Sequence, residues 1–147
     1  ALRESLDRFV AGCPVEKIFF LQLSDGERFD PPFTEDHPWF VEGEAPQFTW
    51  SKHARPFPFE HDHGAYLPIT EISEAWILAI GFEGWVSMEI FDRGMRDRSS
   101  QPETAAMRGI ESWKTLRKEL ESVSKHRIAQ EQKVSRITYS SRPKAAN

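Results

Sequence analysis

The chain carries a single cysteine, Cys13, in 147 residues. One thiol excludes an internal disulfide framework and any paired-cysteine zinc site, and it suits a reducing compartment, so a cytoplasmic setting is expected. Long hydrophobic runs are missing as well. The longest, Ala75 to Ile80, has six residues, against the roughly 18 of a membrane span, so no membrane partner is expected. There is no Gly-rich phosphate cradle and no Gly-x-Ser-x-Gly nucleophile elbow. An initiator Met and a signal-peptide pattern are also absent, and the chain opens in what reads as the middle of an amphipathic helix, which points to truncation. Basic residues are scarce over most of the length: residues 1–123 hold 13 basic and 22 acidic residues, net −9, whereas residues 124–147 hold six basic and one acidic, net +5. So acidic a body is a poor substitute for the counterions of a phosphate backbone, and no nucleic-acid partner is expected. The chain therefore divides into a folded part, 1–123, and a basic flexible tail, 124–147.

What is present suffices for one core. Apolar residues make up 39% and aromatic residues 12% of the chain, well above the level at which chains stay disordered. Leu2, Leu6, Phe9 and Val10 fall on one helical stripe that Gly12-Cys13-Pro14 ends. Lys17 to Ser24 is a short, nearly continuous apolar run, as expected of a strand covered on both faces. Glu27 to Gln47, broken by Pro31, Pro32, Pro38, Gly43 and Pro46, reads as a long loop whose Phe29, Phe33, Trp39 and Phe40 should pack on something. A short extended segment is expected around Arg55 to Phe59. A helix is expected from Pro68 to Ile80 with Gly81 as its stop, a second strong strand over Trp85 to Phe91, and a helix over Pro102 to Val123 with Ala106, Ile110, Trp113, Leu116 and Leu120 on one face. Strands alternating with helices mean an α/β fold with a parallel sheet. Ligands of such folds gather beyond the carboxyl ends of the strands, which selects Gln22 to Asp30, Ser51 to His63 and Glu89 to Arg98.

Within those stretches, strand alternation puts Glu89 with Trp85, Ser87 and Phe91, away from the helix-packing side. A carboxylate there must be answered by a metal ion or by an Arg, and the residues alone leave both open. Gln22 stands with Ser24 on one face of its strand, either as a hydrogen-bonded amide or as a neutral oxygen donor to a hard cation. Arg55 offers a planar fork for a carboxylate or phosphate, and Ser51 a hydroxyl for the same group. His61 and His63 would share a face if extended and could hold a metal, although a solvated loop is the simpler reading. Cys13 reads as structural.

Four stretches, QLSDGERFDPPF at Gln22 to Phe33, FTWSKHARPFPFE at Phe48 to Glu60, GAYLPITEI at Gly64 to Ile72 and GFEGWVSMEIFDR at Gly81 to Arg93, together resemble the C-terminal part of a xylose-isomerase-like TIM barrel. This is the sugar phosphate isomerase/epimerase superfamily, and within it the chain is similar to the fungal 3-dehydroshikimate dehydratases of quinate catabolism. The resemblance implies about strands six to eight of a (β/α)8 barrel with helices outside, the Arg55 segment being the middle strand. It implies a lyase that converts 3-dehydroshikimate to protocatechuate, with Gln22 and Glu89 as two of four ligands to Mg²⁺ or Mn²⁺ and with Ser51 and Arg55 binding the carboxylate of a small-molecule substrate. His61 and His63 match no ligand position. The other two ligands, a Glu and an Asp, and the His expected as base would precede Ala1, so the catalytic base is not among these residues and this chain alone is expected to be inactive and to hold metal weakly. A sugar isomerase or epimerase of the same superfamily is the alternative. So is an inactive remnant that self-associates through exposed strand edges.

Overall fold

A computed structural model describes residues 1–30, 32–97 and 101–140, with side chains as far as residue 133. Pro31 of the long loop, Arg98 at the end of the third ligand-side stretch, and residues 141–147 of the expected tail lie outside the described residues.

The chain opens with helix α1, Leu2–Gly12, which buries Leu6. It stops where expected: Cys13 leaves the helix in an extended conformation, its N–H still donating to the Phe9 carbonyl. A single 3-10 turn, Val15–Lys17, precedes strand β1, Phe20–Leu23. The strand is shorter than the apolar run because Lys17 belongs to that turn. Its burial alternates, with Leu21 and Leu23 inward and Phe20 and Gln22 exposed, so one face of β1 is open rather than both being covered. Strand β3, Trp85–Met88, pairs with β1 in parallel, Gln22 opposite Ser87. Between them lie helix α2, Pro46–Ser51, which opens on a proline suited to a first turn, then strand β2, Ala54–Arg55, and helix α3, Ile69–Ser73, which continues as a π-helical turn over Glu74–Ala79. Gly81, at φ +74, ends that helix.

The expected middle strand is not in the parallel sheet, because β1 and β3 are direct neighbours. Instead β2 runs antiparallel to the two-residue strand β4, Phe91–Asp92. On its other side Ala54 and Pro56 accept from the amides of Glu27 and Asp25, in the chain that continues from β1. The Arg55 segment therefore caps the carboxyl end of the β1–β3 pair. Its prolines explain the shortness: Pro56 and Pro58 have no N–H with which to extend a ladder.

Helix α4, Pro102–Ser140, packs with α3 on the inward face of the sheet, where Leu23, Ile69 and Leu116 form the buried centre and Phe59, Leu67, Trp76, Val86, Met88 and Leu120 surround it. Residues 124–140, expected as tail, continue this helix. No Gly or Pro occurs between Gly109 and Pro143, so nothing in the sequence stops it earlier. Of the expected stripe of α4, Leu116 and Leu120 reach the core, but ahead of them the inward face is rotated. It runs through Arg108, Ser112 and Leu116, while Ile110 and Trp113 are exposed. No helix among the described residues is long and apolar enough to cross a membrane.

Candidate functional site

Beyond the carboxyl ends of β1 and β3, two of the expected site residues meet. Arg55 Nη2 donates to Glu89 Oε2 at 2.9 Å and to the Glu89 carbonyl oxygen at 3.0 Å, and Arg55 Nε donates to Ser24 Oγ at 3.0 Å. The carboxylate that strand alternation turned away from the helices is thus answered by an Arg. The guanidinium also lies over the Phe91 ring, 5.2 Å from its centroid. A hydroxyl, a main-chain carbonyl and an aromatic face therefore fix its orientation independently of the Glu89 carboxylate.

Gln22 lies on the same open sheet face, exposed and paired in register with Ser87. Ser51, by contrast, is not brought to Arg55: its hydroxyl donates to the Phe48 carbonyl at 2.8 Å, inside its own helix α2. His61 and His63 sit in a 3-10 turn, His61–His63, rather than an extended segment. At roughly three residues per turn their side chains diverge, and the His61 ring bonds the Ala65 carbonyl at 3.0 Å. Among the described residues no three His, Cys, Asp or Glu side chains cluster so as to hold a metal ion. Gln22 and Glu89 supply two donors, one of them engaged by Arg55, whereas a hard divalent cation takes about six oxygens. As they stand, these residues do not fit such an ion.

Sequence reading missed the polar groups that brace this end of the fold. Arg108 of α4 donates from Nε to Glu60 Oε1 at 2.7 Å and from Nη2 to Glu60 Oε2 at 2.7 Å and Asp92 Oδ2 at 2.6 Å. These bonds, Glu60's first, raise the guanidinium pKa against the opposing effect of burial. Glu27, 4% exposed, pairs with Arg93. Asp25, 2% exposed, accepts main-chain N–H groups from Gly26, Phe59, Tyr66 and Leu67. The signal available for these groups was only a density of acids and arginines in loops. The long loop packs as its aromatics required: Phe29 stacks on Phe33 at 5.8 Å, His37 and Trp39 lie against Phe29, and His53 stacks on Trp39 at 4.6 Å.

An α/β piece with an Arg–carboxylate pair at the carboxyl end of parallel strands has the layout of an enzyme's ligand-binding end. Among proteins of known function, the chain is 40% identical over 121 residues to the 3-dehydroshikimate dehydratase of Neurospora crassa, a match that spans 82% of this chain and 34% of that protein. The two chains are related, and this one spans about a third of its relative's length. No family profile and no solved structure matches.

Proposed function

We propose that this chain is the ligand-binding end of a metal-dependent 3-dehydroshikimate dehydratase, built as the C-terminal portion of a TIM barrel. The 40% identity to a dehydratase carries this reading, and the placement of Arg55 beyond the strand ends supports it. The reaction removes water from 3-dehydroshikimate: the carbon beside the ketone loses a proton, the hydroxyl leaves, and protocatechuate and water result. The role proposed for Arg55 is to hold the substrate carboxylate through its planar fork, which fixes the ring for proton removal. Ser51 would join it only by giving up its bond within α2. The base, and the additional donors that Mg²⁺ or Mn²⁺ requires beside Gln22 and Glu89, belong in this proposal to the part of the enzyme that this chain does not match. A sugar isomerase or epimerase is the second reading. The Arg55 fork weighs against it, because a neutral sugar offers no carboxylate.

The test is a chimera. The matched residues of this chain replace those of the Neurospora enzyme, and protocatechuate formation is followed by absorbance. Activity in the chimera that falls by about 100-fold or more on Arg55→Ala is expected, the scale at which loss of a charge-assisted contact and of orientation acts. A folded but inactive chimera, or equal activity with and without Arg55, overturns the reading.

A further inference from the structure

Ser51, the hydroxyl expected beside Arg55, is spent on the Phe48 carbonyl inside α2, and a different serine stands in its place. Ser24 Oγ accepts from Arg55 Nε at 3.0 Å. The backbone, rather than a meeting of two flexible side chains, sets this contact. On either side of it the chain leaving β1 is bonded to the Arg55 segment: the Asp25 N–H donates to the Pro56 carbonyl at 3.0 Å and the Glu27 N–H to the Ala54 carbonyl at 2.8 Å. The buried Asp25 carboxylate then ties that chain to Phe59, Tyr66 and Leu67. Ser24, half-buried, is thus carried on a braced segment, and a hydroxyl on such a frame can hold a guanidinium in one orientation. Among the described residues the Ser24 hydroxyl has no partner besides Arg55. Because it accepts from Nε, its own hydrogen is unspent and remains as a donor for a ligand oxygen.

We propose that Ser24 is a positioning residue for Arg55 and fills the part that the resemblance gives to Ser51. An Arg side chain is long and rich in rotamers, and an anion that must first order it binds more weakly. The bond on Nε fixes the rotation of the planar fork before the anion arrives. The other contacts do not do this alone, since the Glu89 carbonyl holds Nη2 and the Phe91 ring limits the guanidinium from one side only. The choice of ligand, a ring bearing one carboxylate, rests on the dehydratase reading. Loss of one hydrogen bond of this kind corresponds to about three- to tenfold in affinity.

The experiment uses the 147-residue chain with benzoate as probe, followed by NMR at the Arg55 Nε–H and at the backbone amides. In the unaltered chain the Arg55 Nε–H should exchange with solvent about tenfold more slowly than that of Arg117, whose side chain is 66% exposed, a comparison that needs no variant to fold. Ser24→Ala is expected to weaken benzoate about three- to tenfold and to speed exchange at the Arg55 Nε–H, with the β1 amides and the urea midpoint left as they were. A purely structural part for Ser24 would move the amides and the midpoint instead. Ser24→Thr, which keeps the hydroxyl, should restore both readouts, and Ser51→Ala should change neither. Benzoate affinity unaltered in Ser24→Ala overturns the proposal, as does an equal loss in Ser51→Ala, an Arg55 Nε–H that exchanges as fast as that of Arg117, or the absence of benzoate binding to the unaltered chain. Since none of these readouts is activity, Ser24 can fail the test while an active chimera upholds the dehydratase reading, and the reverse.

Discussion

Asp25 carries more main-chain hydrogen bonds than any other side chain described. Its Oδ1 accepts from Gly26, Tyr66 and Leu67 at 2.8 to 3.0 Å and its Oδ2 from Phe59 at 3.3 Å, so one carboxylate ties the end of β1 to two loop segments far along the chain. One of these donors is Phe59, whose φ of 69° is a left-handed conformation that bulky residues rarely adopt. Asp25→Ala would leave the amides of Gly26, Phe59 and Leu67 without their acceptor, while Tyr66 keeps its second bond, to the Gly26 carbonyl at 3.2 Å; each orphaned amide is worth about 1 to 3 kcal/mol, and water entering the gap would recover part of this. We expect a loss of about 3 kcal/mol in urea unfolding at neutral pH; a loss below about 1 kcal/mol would mean that water replaces the carboxylate. The sequence marks Asp25-Gly26 only as a strand end, because the partners lie 34 to 42 residues away in segments with no periodicity. His53 is the other residue whose surroundings set its chemistry. Burial first, then the charges of Arg96 and Lys52, push its imidazole below the ordinary value, with Glu44 opposing. The folded chain thus binds that proton less tightly than the unfolded one. The stability involved is in place above about pH 6.5 and is lost as pH falls toward the lower folded value. Glu44, held below the usual carboxylate value by hydrogen bonds from Lys52 and Thr49, loses its contribution only further down. The drop in Tm between pH 7.5 and 5.5 should accordingly be smaller in His53→Gln than in the unaltered chain. An equal drop would remove His53 from the account.

At the scale of elements, α4 shows how polar groups can decide which face of a helix is buried. Apolar spacing selects Ala106, Ile110 and Trp113, but Arg108 and Ser112 face inward instead, the hydroxyl of Ser112 donating to the Pro58 carbonyl at 2.8 Å. Gly109 between them leaves room for Phe57: a Cβ there would meet the Phe57 ring at 2.9 Å. A hydrophobic pattern misses such a stripe, since its inward residues include an Arg, a Gly and a Ser. The strand faces, by contrast, were legible. Trp85 and Ser87 are exposed, and Val86 and Met88 are turned in, as alternation requires. The Arg55–Glu89 contact was half legible: alternation aimed Glu89 but could not say which of two cations would meet it. Arg108 binds α4 to the loop at Glu60 and to β4 at Asp92, two carboxylates whose side chains are 14% and 3% exposed. Truncating it leaves both charges buried with one main-chain N–H each, from Phe57 and Met95, and no cation, close to the situation in which removing one member of an ion pair costs about 3 to 5 kcal/mol. Arg108→Ala should lower stability by that amount in urea unfolding, while Arg108→Lys, which keeps the charge and loses the fork, should cost about half as much. Equal costs would mean that charge contributes little and that packing against the Phe57 ring dominates.

The molecule as a whole has one apolar face that nothing among its described residues covers. Phe20 and Trp85 stand opposite each other in the β1–β3 register, 58% and 84% exposed, and the adjoining Phe19 is 82% exposed. The pair has only two strands, so each has an outer edge with no ladder partner among the described residues. Parallel sheets are ordinarily covered on both faces, and an open edge beside an aromatic patch is a template for pairing with another chain. The part of the related dehydratase that this chain does not match, about two thirds of its length, is long enough to cover such a face. Without that cover, the chain is expected to associate with itself. The Phe20 and Trp85 side chains, paired on one face, can bury on the order of 150 Å² each against a partner, and at roughly 25 cal/mol per Å² this favours association, offset in part by the loss of rotational and translational freedom. Light scattering over a 100-fold dilution should show the mean mass falling toward that of one chain. Trp85→Ser with Phe20→Ser, both at exposed positions and so tolerated by the fold, should shift that transition to at least tenfold higher concentration. A chain that scatters as a monomer throughout would show that the patch is too flat to dock on its own copy. The double substitution would then leave the mass unchanged, and the exposed face would have to be matched to a different polypeptide.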